Sequence, residues 1–290
     1  MVIDAHTHVW PRWPYRPAPP DRASRGDWAN LLWEMDAAGV DQALLVNARI
    51  EGADDNNDYG AAARAARPDR FHHLIDVDSR FGPDYHRPGA PDRLRALIER
   101  YQPDGLSHYL SPQANDGWLL SQEGLAWFGL AQSARLMVSL AAPPIWLDDL
   151  RQIARRFPDL PLLVNHLAVV MLQPEGAARG LELALDREDL PNLMVKVSGY
   201  YYGHDRPWDY PYRDRLDWVR AFYENWGPRR LVWASDWPSL LPHHSYRQAV
   251  QLLVDQADFI APDHLELIRG GNLAAWLERL GRNRPPVTVG

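Results

Sequence analysis

Short apolar runs alternate with amphipathic helical stretches along the whole chain of 290 residues. Eight runs have the length and composition of buried strands, and they lie at 1–3 (continuing into 4–8), 43–46, 71–77, 105–109, 136–140, 162–166, 193–198 and 231–236. Helices are predicted at 28–38, 59–66, from 91 to 101, and at 122–133, 147–157, 175–185, 216–226, 246–256 and 272–280. Eight strands alternating with helices in this length predict a (β/α)8 TIM barrel, one domain spanning residues 1–290.

A doubly wound open sheet is the main alternative fold for this alternation. No Gly-x-Gly-x-x-Gly turn follows any of the predicted strands, so dinucleotide binding has no support in the sequence. The barrel is therefore the fold that we predict.

Composition narrows the classes of partner and of metal ligand. The net charge is −7, with 38 acidic and 31 basic residues, and no Lys/Arg cluster indicates a nucleic-acid partner. Cysteine is absent, so any metal must be held by histidine and carboxylate. We expect a small-molecule substrate and no nucleic acid, and we leave a homo-oligomer open.

No apolar run reaches the roughly 20 residues that a membrane-spanning helix needs. We see no signal peptide before the first strand, which starts at residue 2. The expectation is a cytoplasmic protein without a membrane partner.

The first strand ends in Asp4-Ala5-His6-Thr7-His8. Side chains alternate faces in an extended strand, so His6 and His8 are expected to point the same way at its carboxyl end. Two imidazoles aimed at one point are a common start of a metal site or a proton-handling site. In parallel α/β folds this is also the end of the strand where catalytic groups lie.

Other predicted strands end in polar residues as well. If the barrel is correct, these side chains collect on its carboxyl-terminal rim. They are His108 and Tyr109 on strand four, Asn165 and His166 on strand six, Ser198 followed by 200–202 on strand seven, and Ser235 and Asp236 on strand eight. Three histidines and one aspartate, namely His6, His8, His166 and Asp236, are thus predicted to converge on one axis.

The same segments carry a family resemblance. Asp4-Ala5-His6-Thr7-His8, Leu163-Val164-Asn165-His166-Leu167, Val195-Lys196-Val197-Ser198-Gly199, the run from Leu231 to Pro238 and Gly271-Asn272 resemble, in order, the signatures of the amidohydrolase superfamily. Within it they are similar to the amidohydrolase-2 branch, which includes 2-pyrone-4,6-dicarboxylate lactonase and sugar lactonases. The resemblance implies a (β/α)8 barrel that hydrolyses a small cyclic ester or a related carbonyl compound.

Ring opening needs a water activated for attack and a positive group near the carbonyl oxygen. Asp236 is the candidate base, and His6, His8 and His166 are candidates for stabilising the oxyanion, directly or through a metal. Some members of this branch work without a metal. We therefore predict either no metal or one divalent ion, with zinc favoured, and candidate ligands His6, His8, His166 and Asp236.

Two departures from the metal-dependent relatives matter. Strand five ends in Leu140-Ala141-Ala142, where many relatives carry another ligand, and strand four has Ser107-His108-Tyr109 in place of a bridging Lys or Glu. The sequence therefore predicts at most one divalent ion per chain, bound at His6 and His8. His108 also stands where pyrone-dicarboxylate enzymes often have a carboxylate-binding Arg, which argues against a dicarboxylate substrate.

Aromatic residues are frequent in the predicted strand-to-helix connections, and a pocket walled by them suits a ring-shaped substrate. Those on the predicted active face are Trp10, Trp13, Trp118, Trp146, Trp208, Trp237 and the tyrosines 200–202. Four others at helical spacing, Trp28, Trp33, Trp218 and Trp276, are predicted to be core residues. The substrate-binding candidates are His108, Tyr109, Tyr200, Trp237 and Arg12.

Lys196 is predicted to point into the barrel with Asp4, because both lie on odd-numbered strands, two residues before a rim residue. A buried ammonium needs a partner, and Asp4 or a rim carboxylate is the expected one.

Two other functions remain open besides a lactonase. The first is a metal-dependent non-oxidative decarboxylase, which would need a further histidine such as His204 or His108 on the rim. The second is a binding barrel that has lost its chemistry, and the intact set of His6, His8, His166 and Asp236 argues against it.

Overall fold

The computed structural model describes residues 1–11, 25–50, 52–173, 175–185 and 189–282. Its strands are β1 Ile3–Thr7, β2 Gln42–Val46, β3 Phe71–Asp76, β4 Gly105–Tyr109, β5 Met137–Ala141, β6 Leu162–Val164, β7 Leu193–Val197 and β8 Leu231–Trp233. They form one parallel sheet in the sequential order β1 to β8. This order is that of the predicted (β/α)8 barrel and excludes the doubly wound sheet, whose strand order reverses.

Backbone contacts at the rim bring the last strand segment back to the first. Thr7 forms a parallel bridge with Trp237. The amide of His8 donates to the carbonyl of Trp237 at 2.7 Å, and the amide of Asp236 donates to the carbonyl of His6 at 3.0 Å. The barrel therefore closes where the candidate catalytic residues lie.

The helices of the described residues are α1 Trp28–Ala38, α2 Asn56–Ala66, α3 Ala90–Tyr101, α4 Gln122–Ser133, α5 Leu147–Arg156, α6 Ala177–Ala184, α7 Arg213–Trp226, α8 Tyr246–Gln256, α9 Pro262–Glu266 and α10 Asn272–Arg279. Asp27 caps α1 by accepting from the amide of Ala29, and Gly39 ends it in the left-handed conformation. The short α9 was not predicted. No helix of the described ranges has both the length and the apolar character that a bilayer span requires.

Apolar side chains form a layer between the sheet and the helices and a smaller cluster that includes α10 residues Leu273 and Leu277. Trp28, Trp218 and Trp276 pack against these clusters as predicted. The core prediction for Trp33 is wrong, because 68% of this residue is exposed. Helical spacing places Trp33 on α1 but does not specify the face that meets the barrel.

Strands β6 and β8 end two and three residues before their predicted ends. His166 and Asp236 have φ values of 50° and 64°, in the left-handed region. A residue in this region cannot continue a strand. The two rim residues therefore lie just beyond their strands, where a sharp change of backbone direction aims their side chains.

Candidate active site

His6 and His8 meet at the carboxyl end of β1, as the alternation of side chains predicts. Their Nε2 atoms are 2.9 Å apart and both residues are buried. Nδ1 of His8 contacts the carbonyl of Val46, which can only accept, so the proton of a neutral His8 lies on Nδ1. Nε2 of His8 therefore presents a lone pair to the site. The imidazole ring of His8 stacks on Trp10, with 4.9 Å between the ring centroids.

Asp236 stands at the centre of this cluster. Its Oδ1 lies 3.5 Å from Nε2 of His6, 3.7 Å from Nε2 of His8 and 3.6 Å from Nε2 of His166. Oδ1 is buried and has no hydrogen-bond partner among the described residues. One carboxylate oxygen faced by three imidazole nitrogens is thus left free to bind a proton, a water or a cation.

The other oxygen of Asp236 is held by two phenols. Tyr201 donates to Oδ2 at 2.5 Å and Tyr202 at 2.8 Å. These donors fix the rotation of the carboxylate, so that Oδ1 faces the histidines. The sequence predicts Tyr201 and Tyr202 only as part of an aromatic wall and not as partners of Asp236. The run of three tyrosines after Gly199 is the one sequence feature that points to them.

The position of His166 depends on the chain after β7. Nδ1 of His166 lies 2.9 Å from the hydroxyl of Ser198. Gly199 follows with a φ of 73°, and a Cβ at this position would lie 2.8 Å from Cβ of His166. Only glycine fits both the conformation and the close approach, which gives the Ser-Gly pair of this segment a structural role.

Burial sets the charges of the site. Desolvation lowers the pKa of His8 to about 4 and that of His166 to about 3, and it lowers the pKa of His6 well below its usual value. The three imidazoles are therefore neutral near pH 7. Burial also raises the pKa of Asp236, while the hydrogen bonds from the two tyrosine hydroxyls act in the opposite direction.

Lys196 is fully buried, as predicted, but its partners are not the predicted ones. Its Nζ lies 2.8 Å from Nδ1 of His6 and donates to the hydroxyl of Ser139 at 2.6 Å. Among the described residues it forms no ion pair with a carboxylate. Ser139, which sequence reasoning missed, lies on β5, so β1, β5 and β7 share an interior layer.

Asp4 does not face Lys196, because β1 is irregular next to it. The register of β1 against β2 shifts between Asp4 and Thr7, as at a β-bulge. Asp4 accepts from Tyr246 of α8 at 2.9 Å and from Ser235, whereas His6 contacts Lys196 inside the barrel. The expected Asp4–Lys196 pair was wrong, because the irregularity puts Asp4 and His6 in different surroundings although they are two residues apart.

The donor set fits a single divalent ion. His6, His166 and Asp236 each offer a ligand atom, and these atoms lie within 4.8 Å of one another. The unpartnered Oδ1 of Asp236 and the neutral imidazoles are the donor types that zinc prefers. Ala141 and Ala142, at the end of β5, offer no ligand for a second ion.

Of the predicted substrate-binding side chains of Tyr109, Tyr200 and Trp237, the structure shows only that of Tyr109 in polar contact with the histidine cluster. The hydroxyl of Tyr109 lies 3.4 Å from Nε2 of His8, so Tyr109 borders the site. Tyr200 stacks on Tyr212 at 6.2 Å, and its buried hydroxyl has no hydrogen-bond partner in the described part of the chain. Trp237 is buried and contributes its backbone to barrel closure. Arg12 lies outside the described residues, as does Trp13.

His108 is not brought into the cluster around Asp236. Its Nδ1 contacts the carbonyl of Val77 at 2.9 Å, and its ring lies 5.6 Å from that of Trp127 on α4. The side chain therefore points to the helix layer, while the next residue, Tyr109, points to His8. Contact of His108 with a substrate therefore stays a prediction, and Tyr109 is the β4 residue that borders the cluster around Asp236.

A family model described as Amidohydrolase matches residues 3–278. An L-fucono-1,5-lactonase from Burkholderia ambifaria is 25% identical over 285 residues, which cover 93% of each chain. The match reaches almost the full length of both proteins.

Two solved structures share the fold at low identity. An amidohydrolase from Burkholderia multivorans with bound zinc has a TM-score of 0.75 and 18% identity, over 96% of this chain and 99% of that one. A probable 2-pyrone-4,6-dicarboxylic acid hydrolase from Acinetobacter baumannii, with citric acid bound, has a TM-score of 0.69 and 19% identity, over 97% and 99%. Both confirm the barrel.

Proposed function

Because this chain belongs to the amidohydrolase family, we propose that it is a hydrolase that opens a small lactone by attack of an activated water. The observation that carries the proposal is the buried Oδ1 of Asp236, which no described residue satisfies and which three imidazole nitrogens face. The lactonase relative from Burkholderia ambifaria supports the same reaction.

In the proposed reaction Asp236 accepts a proton from a water molecule that lies against Oδ1. The water oxygen bonds to the lactone carbonyl carbon, and the carbonyl π electrons move to its oxygen. When the tetrahedral intermediate collapses, the ring C–O bond breaks. The departing ring oxygen takes the proton back from Asp236, and the product is a hydroxy acid. Asp236 thus serves first as base and then as acid.

Hydrogen bonds prepare Asp236 for this role. The hydroxyls of Tyr201 and Tyr202 occupy Oδ2, so the proton is directed to Oδ1. His6, His166 and Asp236 would hold a single zinc ion, with His8 adjacent. When bound, this ion would supply a Lewis acid that polarises the carbonyl or lowers the pKa of water.

Aromatic side chains lie next to the cluster around Asp236. Trp10 stacks on His8, and the Tyr109 hydroxyl lies beside the same imidazole. The ring of Phe81, 37% exposed, lies 5.1 Å from that of Tyr109. Flat apolar walls next to a polar centre suit a small ring that carries one reactive carbonyl. Sugar lactones are the first substrates to assay, because the relative from Burkholderia ambifaria is an L-fucono-1,5-lactonase, and aromatic-derived lactones follow.

The test is the Asp236→Asn variant in ¹⁸O-labelled water. The amide keeps the shape and removes the basicity, so turnover should fall roughly 10²–10⁴-fold, the usual range for a positioned base. KM should change little. In the wild type one ¹⁸O atom should appear in the product carboxylate.

A matched control is Asp76→Asn. Asp76 is also a buried carboxylate at the end of a strand, with its pKa raised by burial to about 6, but it accepts from the amide of Arg49 instead of facing the histidines. Its replacement should reduce turnover far less than Asp236→Asn.

Decarboxylation remains the alternative reaction. Carbon dioxide release from an aromatic acid, with no oxygen taken from water, would replace the hydrolase proposal. A panel of lactones and aromatic acids, assayed with and without added zinc, separates the two reactions. No turnover on any member would favour the binding barrel.

A further inference from the structure

A second pair of histidines lies outside the cluster around Asp236. His86 belongs to the segment between β3 and α3, and His108 lies on β4 with its ring toward the helix layer. Their Nε2 atoms are 3.3 Å apart. His108 is buried, and 5% of the His86 side chain is exposed. The proposed reaction uses neither residue.

Hydrogen bonds at the opposite nitrogens fix where the protons lie. Nδ1 of His108 faces the carbonyl of Val77 at 2.9 Å, and a carbonyl only accepts. Nδ1 of His86 lies 2.6 Å from Oδ2 of Asp116, a side-chain oxygen that accepts the imidazole N–H. Each neutral imidazole therefore carries its proton on Nδ1, and the two Nε2 lone pairs face each other.

Aromatic neighbours hold the ring of His86 in this position. It lies between Tyr85, at 3.8 Å and an angle of 23°, and Trp118, at 4.3 Å and 7°. A ring stacked on both faces and bonded at Nδ1 has little freedom to turn its Nε2 away. The arrangement of the two lone pairs is thus built into the fold.

Two facing lone pairs repel each other unless a cation lies between them. Histidines that bind metals donate their other ring N–H to a carboxylate or a backbone carbonyl, and here one of each is present. Two nitrogens on a tetrahedral zinc ion, each about 2.0–2.1 Å from it, are roughly 3.3 Å apart. The observed Nε2 separation of 3.3 Å equals that distance.

We propose that His86 and His108 bind one divalent transition-metal ion through their Nε2 atoms, at a site separate from Asp236. A chain with both sites filled would hold more than the one divalent ion per chain that the sequence predicts. Water completes its coordination, and Cu²⁺ binds more tightly than Zn²⁺, as the general order of affinities requires. The ion links β4 to the segment between β3 and α3. The last residue of β4, Tyr109, contacts His8.

The test is equilibrium dialysis of the metal-stripped, full-length protein against Cu²⁺, with the wild type compared with His86→Phe. Phenylalanine keeps a ring between Tyr85 and Trp118 and removes the ligand. The variant should bind one Cu²⁺ equivalent fewer per chain. The Cu²⁺ signal that is present in the electron paramagnetic resonance spectrum of the wild type and absent from that of His86→Phe should show two nitrogen ligands.

The chain offers a matched control in His204→Phe. Nε2 of His204 is paired with Asp214 at 3.1 Å, and its Nδ1 accepts from the amide of Arg206. His204 therefore resembles His86 in having an aspartate partner but has no free lone pair. Its variant should bind as much Cu²⁺ as the wild type.

A second variant keeps the proposal testable if His86→Phe fails to fold. Asp116 is 47% exposed, so Asp116→Asn should be tolerated by the fold. Loss of a partner of this kind should weaken Cu²⁺ affinity at this site roughly 10–100-fold. Equal Cu²⁺ binding by the wild type and His86→Phe, or unchanged affinity in Asp116→Asn, would overturn the proposal and leave a proton between the two rings.

Discussion

The amine of Lys196 lies 2.8 Å from Nδ1 of His6 inside the barrel, on the side of the imidazole opposite to Asp236. Lys196 is the only lysine in the chain, and it is fully buried. Burial lowers its pKa well below the usual value for lysine, against the opposing fields of Asp236 and Asp4. The residue therefore orients the imidazole of His6 and joins it to Ser139, instead of forming an ion pair.

Replacement of Lys196 by Met should destabilise the protein by roughly 1–3 kcal/mol, the cost of a buried polar group that loses its partner. This value is smaller than the roughly 3–5 kcal/mol expected for breaking a buried ion pair. Turnover should also fall, since His6 loses the contact that orients its ring. Urea unfolding and steady-state kinetics measure the two effects.

Ser139→Ala is the control for this variant, because it removes one partner of Lys196 and leaves the contact with His6. It should affect turnover less than Lys196→Met. Wild-type stability and turnover in Lys196→Met would contradict the assigned role.

The sequence predicted the strand count, the barrel and the convergence of His6, His8, His166 and Asp236, because alternation and strand ends are local patterns. It could not predict the irregularity in β1, which depends on pairing with β2 and separates Asp4 from His6. Nor could it decide which of three consecutive tyrosines reach Asp236. After β7 the chain leaves the strand geometry, so the period of two no longer assigns faces.

This tyrosine run provides a matched series of variants. Tyr201→Phe and Tyr202→Phe each remove a donor to Oδ2 of Asp236. A hydrogen bond to a charged group contributes about 1.5–3 kcal/mol, so kcat should fall roughly 10–100-fold with little change in KM. Both donors lower the pKa of Asp236, so their loss should shift the limb of the pH–rate profile that reports this carboxylate to higher pH.

Tyr200→Phe is the control for that series, because the hydroxyl of Tyr200 has no hydrogen-bond partner among the described residues. Its kinetics should match the wild type. A loss of substrate affinity in Tyr200→Phe would instead support the substrate contact predicted from the sequence.

Acid should destabilise the native state between about pH 6.5 and 4. Buried histidines with a pKa of about 4 or lower stay neutral in the native state, whereas they bind protons near pH 6.5 when unfolded, so stability falls as the pH drops through this window. They are His8, His73, His108, His166 and His244. Asp4 and Asp76, whose pKa values are raised to about 6, act in the opposite direction, since their native carboxyls bind protons first.

Five histidines against two such aspartates make the net effect a loss of stability on acidification. Urea midpoints at pH 6.5, 5.5 and 4.5 should therefore decrease in that order. A midpoint that stays constant or increases toward pH 4.5 would contradict the neutral state of the buried histidines.

The cluster at Asp236 should hold at most one divalent ion, because β5 ends without a ligand and Oδ1 of Asp236 is the shared point of the donor set. Elemental analysis after dialysis against zinc should be done on His86→Phe, which removes the separate site proposed at His108. In that background we expect no more than one equivalent, and its loss on adding His166→Ala. Two equivalents of zinc in active His86→Phe protein would contradict this prediction. They would show that the cluster binds two ions and that a ligand other than His6, His8, His166 and Asp236 takes part.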